Sequence, residues 1–151
     1  MERPDVQPAT DGDLPELLPL MRAYCDFYGV SPSDDSLLAL SRALIADPAH
    51  EGIQLVARDH GGRAVGFATV FWSWSTLDAA RIGVMNDLFV AHEARGAGTA
   101  DALIEACRDR CREHGAKRLS WQTAPDNRRA QAVYERVGAV RSQWVDYSLG
   151  V

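Results

Sequence analysis

The chain is poor in the residues that build covalent or metal frameworks. It holds three cysteines, at 25, 107 and 111, and no pair has CxxC spacing. Cys107 and Cys111 lie four apart on the apolar stripe of a helical pattern, where a thiol packs as a small hydrophobe. An odd cysteine count with no signal-peptide pattern argues against a disulfide scaffold and suits a reducing cytoplasm, the expected location. The histidines at 50, 60, 92 and 114 share no ligand spacing, so no metal site is expected. No apolar run approaches the length of a membrane span. Positive charge is also scarce: 16 Lys and Arg stand against 21 Asp and Glu, a formal net charge of -5. That balance excludes a nucleic-acid footprint. The arginines at 108, 110 and 112, and those at 128 and 129, read as solvated helix faces. Arg128 and Arg129 also stand at a helix start, within reach of a phosphate.

What is present is an ordinary globular composition, 46% hydrophobic and 25% charged. A length of 151 residues allows one domain with a real core, over residues 1–151, and no second one. Residues 3–9 predict a short edge strand. Thr10-x-x-Asp13 opens a helix whose apolar positions run from Leu14 to Tyr28, with a kink or break expected at Pro19. A second helix starts at Ser33 or Asp34 and ends before Pro48. Residues 53–58 and 63–75 predict a hairpin about Asp59-His60-Gly61-Gly62. The second of these strands is apolar on both faces, so it is central, with something packed on each side. Gly66 within it marks a bulge or a close approach. A strand at 84–91, a helix ending at Gly115, a strand at 118–123, the helix holding Tyr134 and a β-rich segment at 139–149 complete the order β-α-α-β-β-β-α-β-α-β.

The stretch from Asp87 to Ala100 is the most telling part of the chain. Leu88-Phe89-Val90 ends in a polar turn, and Arg95-Gly96-Ala97-Gly98-Thr99-Ala100 leads into a long amphipathic helix. Glycine and alanine leave little bulk between backbone and ligand, so an anion can approach the amide N–H groups of the helix start. Those donors, the positive end of the helix dipole and Arg95 all favour a pyrophosphate. A nucleoside-triphosphate loop would need a lysine after its last glycine, and the segment has none. A dinucleotide fingerprint would need glycine where Asp101 stands. Both fail. The bland alternative is a glycine-softened strand-to-helix turn that binds nothing.

Arg95-x-x-Gly98-x-Ala100 resembles the coenzyme A loop of the GNAT N-acetyltransferases, whose pattern is Gln/Arg-x-x-Gly-x-Gly/Ala. A second segment strengthens the likeness. Asn127-x-x-Ala130-x-x-x-Tyr134 followed by Glu135-x-x-Gly138 matches the family's Asn-x-x-Ala-x-x-x-Tyr and Glu-x-x-Gly at every position. Asp126 or Asn127 caps this helix, and Asn127, Ala130, Tyr134 and Val137 share one face. The resemblance covers nearly the whole chain. Tyr24-Cys25-Asp26-Phe27-Tyr28 and the Trp-rich third strand are similar to the branch holding polyamine and Hpa2-type acetyltransferases.

The resemblance implies an α/β single-domain fold: a mixed central sheet, a strand pair splayed at the acyl-CoA site and helices on both faces. It implies acetyl-CoA as co-substrate, no metal, and transfer of the acetyl group to a primary amine by direct attack in a ternary complex. Leu88, Phe89 and Val90 would lend backbone groups to the pantetheine and the oxyanion, residues 95–100 would hold the pyrophosphate, and Asn127, Ala130 and Tyr134 would line the cofactor. Tyr134 would return a proton to the departing thiolate. Tyr24, Asp26, Tyr28, Trp72 and Asp87 are the acceptor-site candidates: carboxylates attract a cation and aromatics wall it. The tryptophans have core packing as their bland alternative.

The base stays open. Strand alternation sets Asn86 and Asp87 on opposite faces, Asn86 cannot take a proton, and water, Asp26, Tyr24 and Tyr28 compete with Asp87. Also open are a protein lysine or N-terminus as acceptor, a coenzyme A sensor without catalysis, and a homodimer. Neither nucleic acid nor membrane is an expected partner.

Overall fold

Five strands make one mixed sheet in the order β1-β2-β3-β4-β5, in a computed structural model that describes residues 2–151. Strands β1 (Asp5–Pro8), β2 (Gly52–Arg58), β3 (Ala64–Ser75) and β4 (Ala80–Val90) run antiparallel in sequence. Strand β5 (Leu119–Ser120) lies parallel to β4. Helices α1 (Leu14–Phe27) and α2 (Asp34–Ala46) precede β2. Helix α3 (Thr99–His114) follows β4, and α4 (Arg128–Arg136) follows β5.

Both faces of β3 are apolar because both are covered. Leu17, Met21 and Phe67 join Val56 under α1, while Leu103, Ile104 and Cys107 of α3 close on Leu55, Ala57, Ala68 and Val70. The caps follow the sequence. Asp13 accepts from the backbone N–H of Thr10 at 2.8 Å, Ser33 Oγ accepts from Ser36 N at 3.1 Å, and Asn127 Oδ1 accepts from Ala130 N at 3.2 Å. Each satisfies a donor at a helix start that would otherwise lack a partner. Gly66 is a close-approach residue: a Cβ there would stand 2.8 Å from the Phe89 carbonyl and 3.4 Å from Thr99 Cγ2. Its absence lets the start of α3 settle onto β3.

Three expectations need correction. Helix α1 runs through Pro19, so of the kink or break expected there the break does not occur. Proline there removes one N–H donor in the second turn, and the apolar stripe from Leu14 to Cys25 holds the helix to the sheet. Strand β4 begins at Ala80 rather than 84, and β5 spans two residues rather than six. Residues 139–149 form no strand, and Val140, Trp144, Val145, Tyr147 and Leu149 are exposed. A β-rich pattern becomes a strand only against an edge, and among the described residues no strand pairs with this one.

The short β5 sets up the site. It pairs with β4 at Gly83–Leu119 and Val84–Ser120 and nowhere beyond. From residue 85 to 90 the β5-facing edge of β4 carries no strand, as the splayed pair requires.

Candidate active site in the split between β4 and β5

A cleft of about 680 Å³ opens where the two strands part. The second half of β4, the loop and first turn of α3, the end of α1, and α4 enclose it. Its size is that of a small-molecule or cofactor site.

At one end lies the cradle. Gly96 and Gly98 have φ of +83° and +79°, the left-handed region that other residues enter at a cost. A Cβ on either would meet nothing within 4 Å, so backbone conformation, not packing, asks for glycine, and the loop stands open to a ligand. Gly98 is the N-cap of α3 and no side chain caps the helix. The first N–H groups of α3 are therefore left to a ligand. Asp101 in that first turn would repel an anion, but Arg136 of α4 pairs with it at 2.6 Å. Arg95 donates from Nε to the Val90 carbonyl at 3.2 Å, which ties the loop back to β4. Arg95 and Arg129 both border the cleft.

At the split itself the β4 ladder slips. Val70 faces Met85, yet Thr69 faces Asp87, so Asn86 is an extra residue on β4. This bulge overturns the strict alternation expected of the two residues, and both line the cleft. Tyr24 donates to the Asn86 carbonyl at 3.5 Å. The Asp87 carboxyl lies inside: its Oδ1 is shut from solvent and has no hydrogen-bond partner. Burial pushes this carboxyl up to about 7, while hydrogen bonds from Thr69 and Asn86 oppose the rise.

Across the cleft, α4 presents Tyr134, edge-on to Trp121 with ring centroids 5.2 Å apart. Burial raises its phenol above the ordinary tyrosine value, as does the nearby Tyr28. Tyr24, also half-buried, is raised far more strongly by burial, with Asp87 adding to the effect.

The structure gathers Leu88, Phe89, Val90, Arg95, Gly96, Gly98, Thr99, Ala100, Asn127, Ala130, Tyr134, Tyr24, Tyr28 and Asp87 around this one cleft. It leaves Ala97, Asp26 and Trp72 outside the lining. Asp26 is exposed on α1, one step off the i, i+3, i+4 face that carries Tyr24, Phe27 and Tyr28. Trp72 lies toward the other end of β3, stacked on His114 at 4.0 Å, and its indole N–H donates to the Pro48 carbonyl at 2.8 Å. Sequence reasoning missed Phe27, Asn86, Trp121 and Arg136. Phe27 was visible on the helical face of Tyr24; the others depend on the bulge, on the strand split and on a contact between α3 and α4.

A mixed sheet that splits beside an uncapped, glycine-opened helix start defines a class of enzyme, the acyl-CoA-dependent transferases. The sequence profile of the Acetyltransferase (GNAT) family matches residues 17–139, and the chain belongs to that family. It is similar to the uncharacterized N-acetyltransferase YhfO of Bacillus subtilis (strain 168), 31% identical over 148 residues, 97% of each chain. It is 36% identical over 76 residues to the D-amino-acid N-acetyltransferase HPA3 of Saccharomyces cerevisiae, covering 50% of this chain and 47% of that one. The crystal structure of a probable acetyltransferase matches with a TM-score of 0.84 and 32% identity, over 97% of each chain. The protein is an acetyl-CoA-dependent N-acetyltransferase. The free amides of α3 and the open loop at Gly96 and Gly98 fit that co-substrate. Among the described residues no helix is long and apolar enough to cross a membrane.

Proposed function

We propose that the acceptor is the primary amine of a small molecule, a polyamine or an amino metabolite, attacking directly in a ternary complex. The cradle at 95–100 and Arg129 hold the pyrophosphate, Asn127, Ala130 and Tyr134 line the rest of the cofactor, and β4 at 88–90 lends backbone groups. Acetyl-CoA supplies the thioester carbonyl and a leaving thiolate. Asp87 takes a proton from the incoming ammonium at its carboxyl, through one water, and Tyr134 holds the proton for the departing group at its phenol oxygen. Tyr24 and Tyr28 wall the amine.

One observation carries this reading: a buried carboxyl oxygen without a partner, in the cleft, with its titration brought near neutral pH by burial. A base poised near 7 combines an ionised fraction at working pH with the strength to take an ammonium proton. Tyr24, Phe27 and Tyr28 line the cleft and can wall a small cationic acceptor, and the likeness to a relative named for D-amino acids points the same way. The reaction is placed in the cytoplasm, in keeping with three unpaired, buried thiols. Pairing of two copies through residues 139–151 belongs to the same proposal.

The test is thiol release from acetyl-CoA with a panel of a polyamine, an aminoglycoside, a D-amino acid and a lysine peptide. Turnover of a small amine supports the proposal. Turnover of the peptide alone overturns it, as does acetyl-CoA binding without turnover of any amine.

A further inference from the structure

Three neighbouring strands place a polar row through an otherwise apolar sheet. Gln54 of β2 faces Thr69 of β3, and Thr69 faces Asp87 of β4. Gln54 is 3% exposed and Thr69 not at all. Around them stand Phe67, Val56 and Met21, so an all-apolar row would fit the layer. Buried polar groups without full partners destabilise a sheet, and this row contains both of the partnerless buried side-chain atoms found among the described residues, Gln54 Oε1 and Asp87 Oδ1.

The bulge makes the row. Were the Val70–Met85 register continued, Asn86 would stand opposite Thr69 and Asp87 would fall on the α3 face. The extra residue brings the ionisable group into line. Gln54 Nε2 donates to Thr69 Oγ1 at 3.1 Å. A hydroxyl has a single proton, and with its lone pair occupied by the amide that proton is free to point the other way. On that side stands the Asp87 carboxyl, across the ladder from Thr69, whose side chain and backbone hold its titration down against the effect of burial.

We infer that Gln54 and Thr69 are positioning residues for Asp87: the polar row runs from amide to hydroxyl to carboxylate, fixes the carboxyl's orientation beside the cleft and leaves its Oδ1 without a partner. The inference rests on Asp87 as the base of the proposed reaction. Other titratable groups facing Asp87 are Tyr24 from α1 and Cys107 from α3. Burial raises both, so neither carries charge where Asp87 titrates. Tyr28 and Tyr134 line the same cleft, and Arg95, Arg129 and Arg136 border it.

The test follows Asp87 itself. In protein carrying ¹³C-labelled aspartate, the Asp87 carboxyl resonance is assigned by its loss in Asp87→Asn, and its titration is compared in wild type, Thr69→Val and Thr69→Ser. Valine keeps the shape and removes the donor, so the midpoint moves up from about 7 by about one pH unit. Serine restores it. Gln54→Leu keeps the hydroxyl but removes the amide that orients it, and moves the midpoint the same way by less. This variant carries the readout if Thr69→Val fails to fold. An unmoved midpoint in whichever of the two is read overturns the row. The pH profile of kcat/KM tests the base separately: a limb near 7 that persists in Asp87→Asn rejects Asp87 as base while leaving the titration result standing.

Discussion

A carboxyl turned into a sheet interior loses the hydration its ionised form needs, and Asp87 shows the consequence at the scale of one residue. Its folded value is about 7 against 3.8 when free. The unfolded chain therefore releases this proton near pH 4 while the folded chain keeps it until near 7. Stability falls across that window and is flat above it, by on the order of 4 kcal/mol in the limit. Asp87→Asn has nothing to ionise. Urea melts at pH 4, 5.5 and 7 should show the variant gaining on wild type at each step; a constant difference would mean that the carboxyl is not held in its buried state. Tyr134 is the proposed acid. Burial raises its phenol above the ordinary tyrosine value, which favours the protonated form that a donor to a thiolate needs. Tyr134→Phe keeps the ring against Trp121 and loses the proton, so kcat should drop by about tenfold to ten-thousandfold with little change in the acetyl-CoA KM. Near wild-type turnover would reduce Tyr134 to a packing residue.

At the scale of elements, the site depends on how α3 lands. Gly66 and Gly83 let the helix sit close to β3 and β4; a Cβ at Gly83 would stand 2.5 Å from Cys111 Sγ. Gly83→Ala should destabilise by about 1–3 kcal/mol, and Cys111→Ala in the same chain should recover part of that by removing the sulfur. Additive losses in denaturant titrations of the double variant would refute the contact. At the other end of α3, Gly98→Val should abolish the rise in Tm that acetyl-CoA gives, each variant judged against its own ligand-free melt. A retained shift would remove the cradle assignment. These landing points explain what was legible in sequence. The glycine loop at 95–98, the cap at Asn127 and the helix that carries Tyr134 are local patterns with fixed spacing, so the residues announce them. The bulge at Asn86 was not legible, because it is a relation between β4 and β3 rather than a property of either. Trp72 illustrates the same limit: its strand face was read, but not its place along the strand, and that place puts it on His114 rather than in the cleft.

At the scale of the whole molecule, residues 139–151 stand out. Val145, Tyr147, Leu149 and Val151 alternate as in a strand with one apolar face, and all are at least 75% exposed, with Trp144 at 79%. The segment is held by few polar contacts, among them Gln122 Nε2 to Asp146 Oδ1 at 2.7 Å and Arg141 to Glu135 at 2.7 Å. Beside it the sheet ends at β5, whose outer edge has no partner strand among the described residues. An unpaired edge and an unpaired apolar strand pattern on the same chain are complementary, and two copies related by a two-fold axis can satisfy both at once. A second copy fits better than an unrelated partner because each chain brings both halves of the contact. Light scattering coupled to size-exclusion chromatography should then give twice the 16.6 kDa chain mass. Replacing Trp144, Tyr147 and Leu149 together by serine should return the single-chain mass with acetyl-CoA binding retained, since none of the three borders the cleft. A wild-type chain that stays monomeric up to high micromolar concentration would show that the segment folds onto its own β5 instead, and would end the case for a dimer built on it.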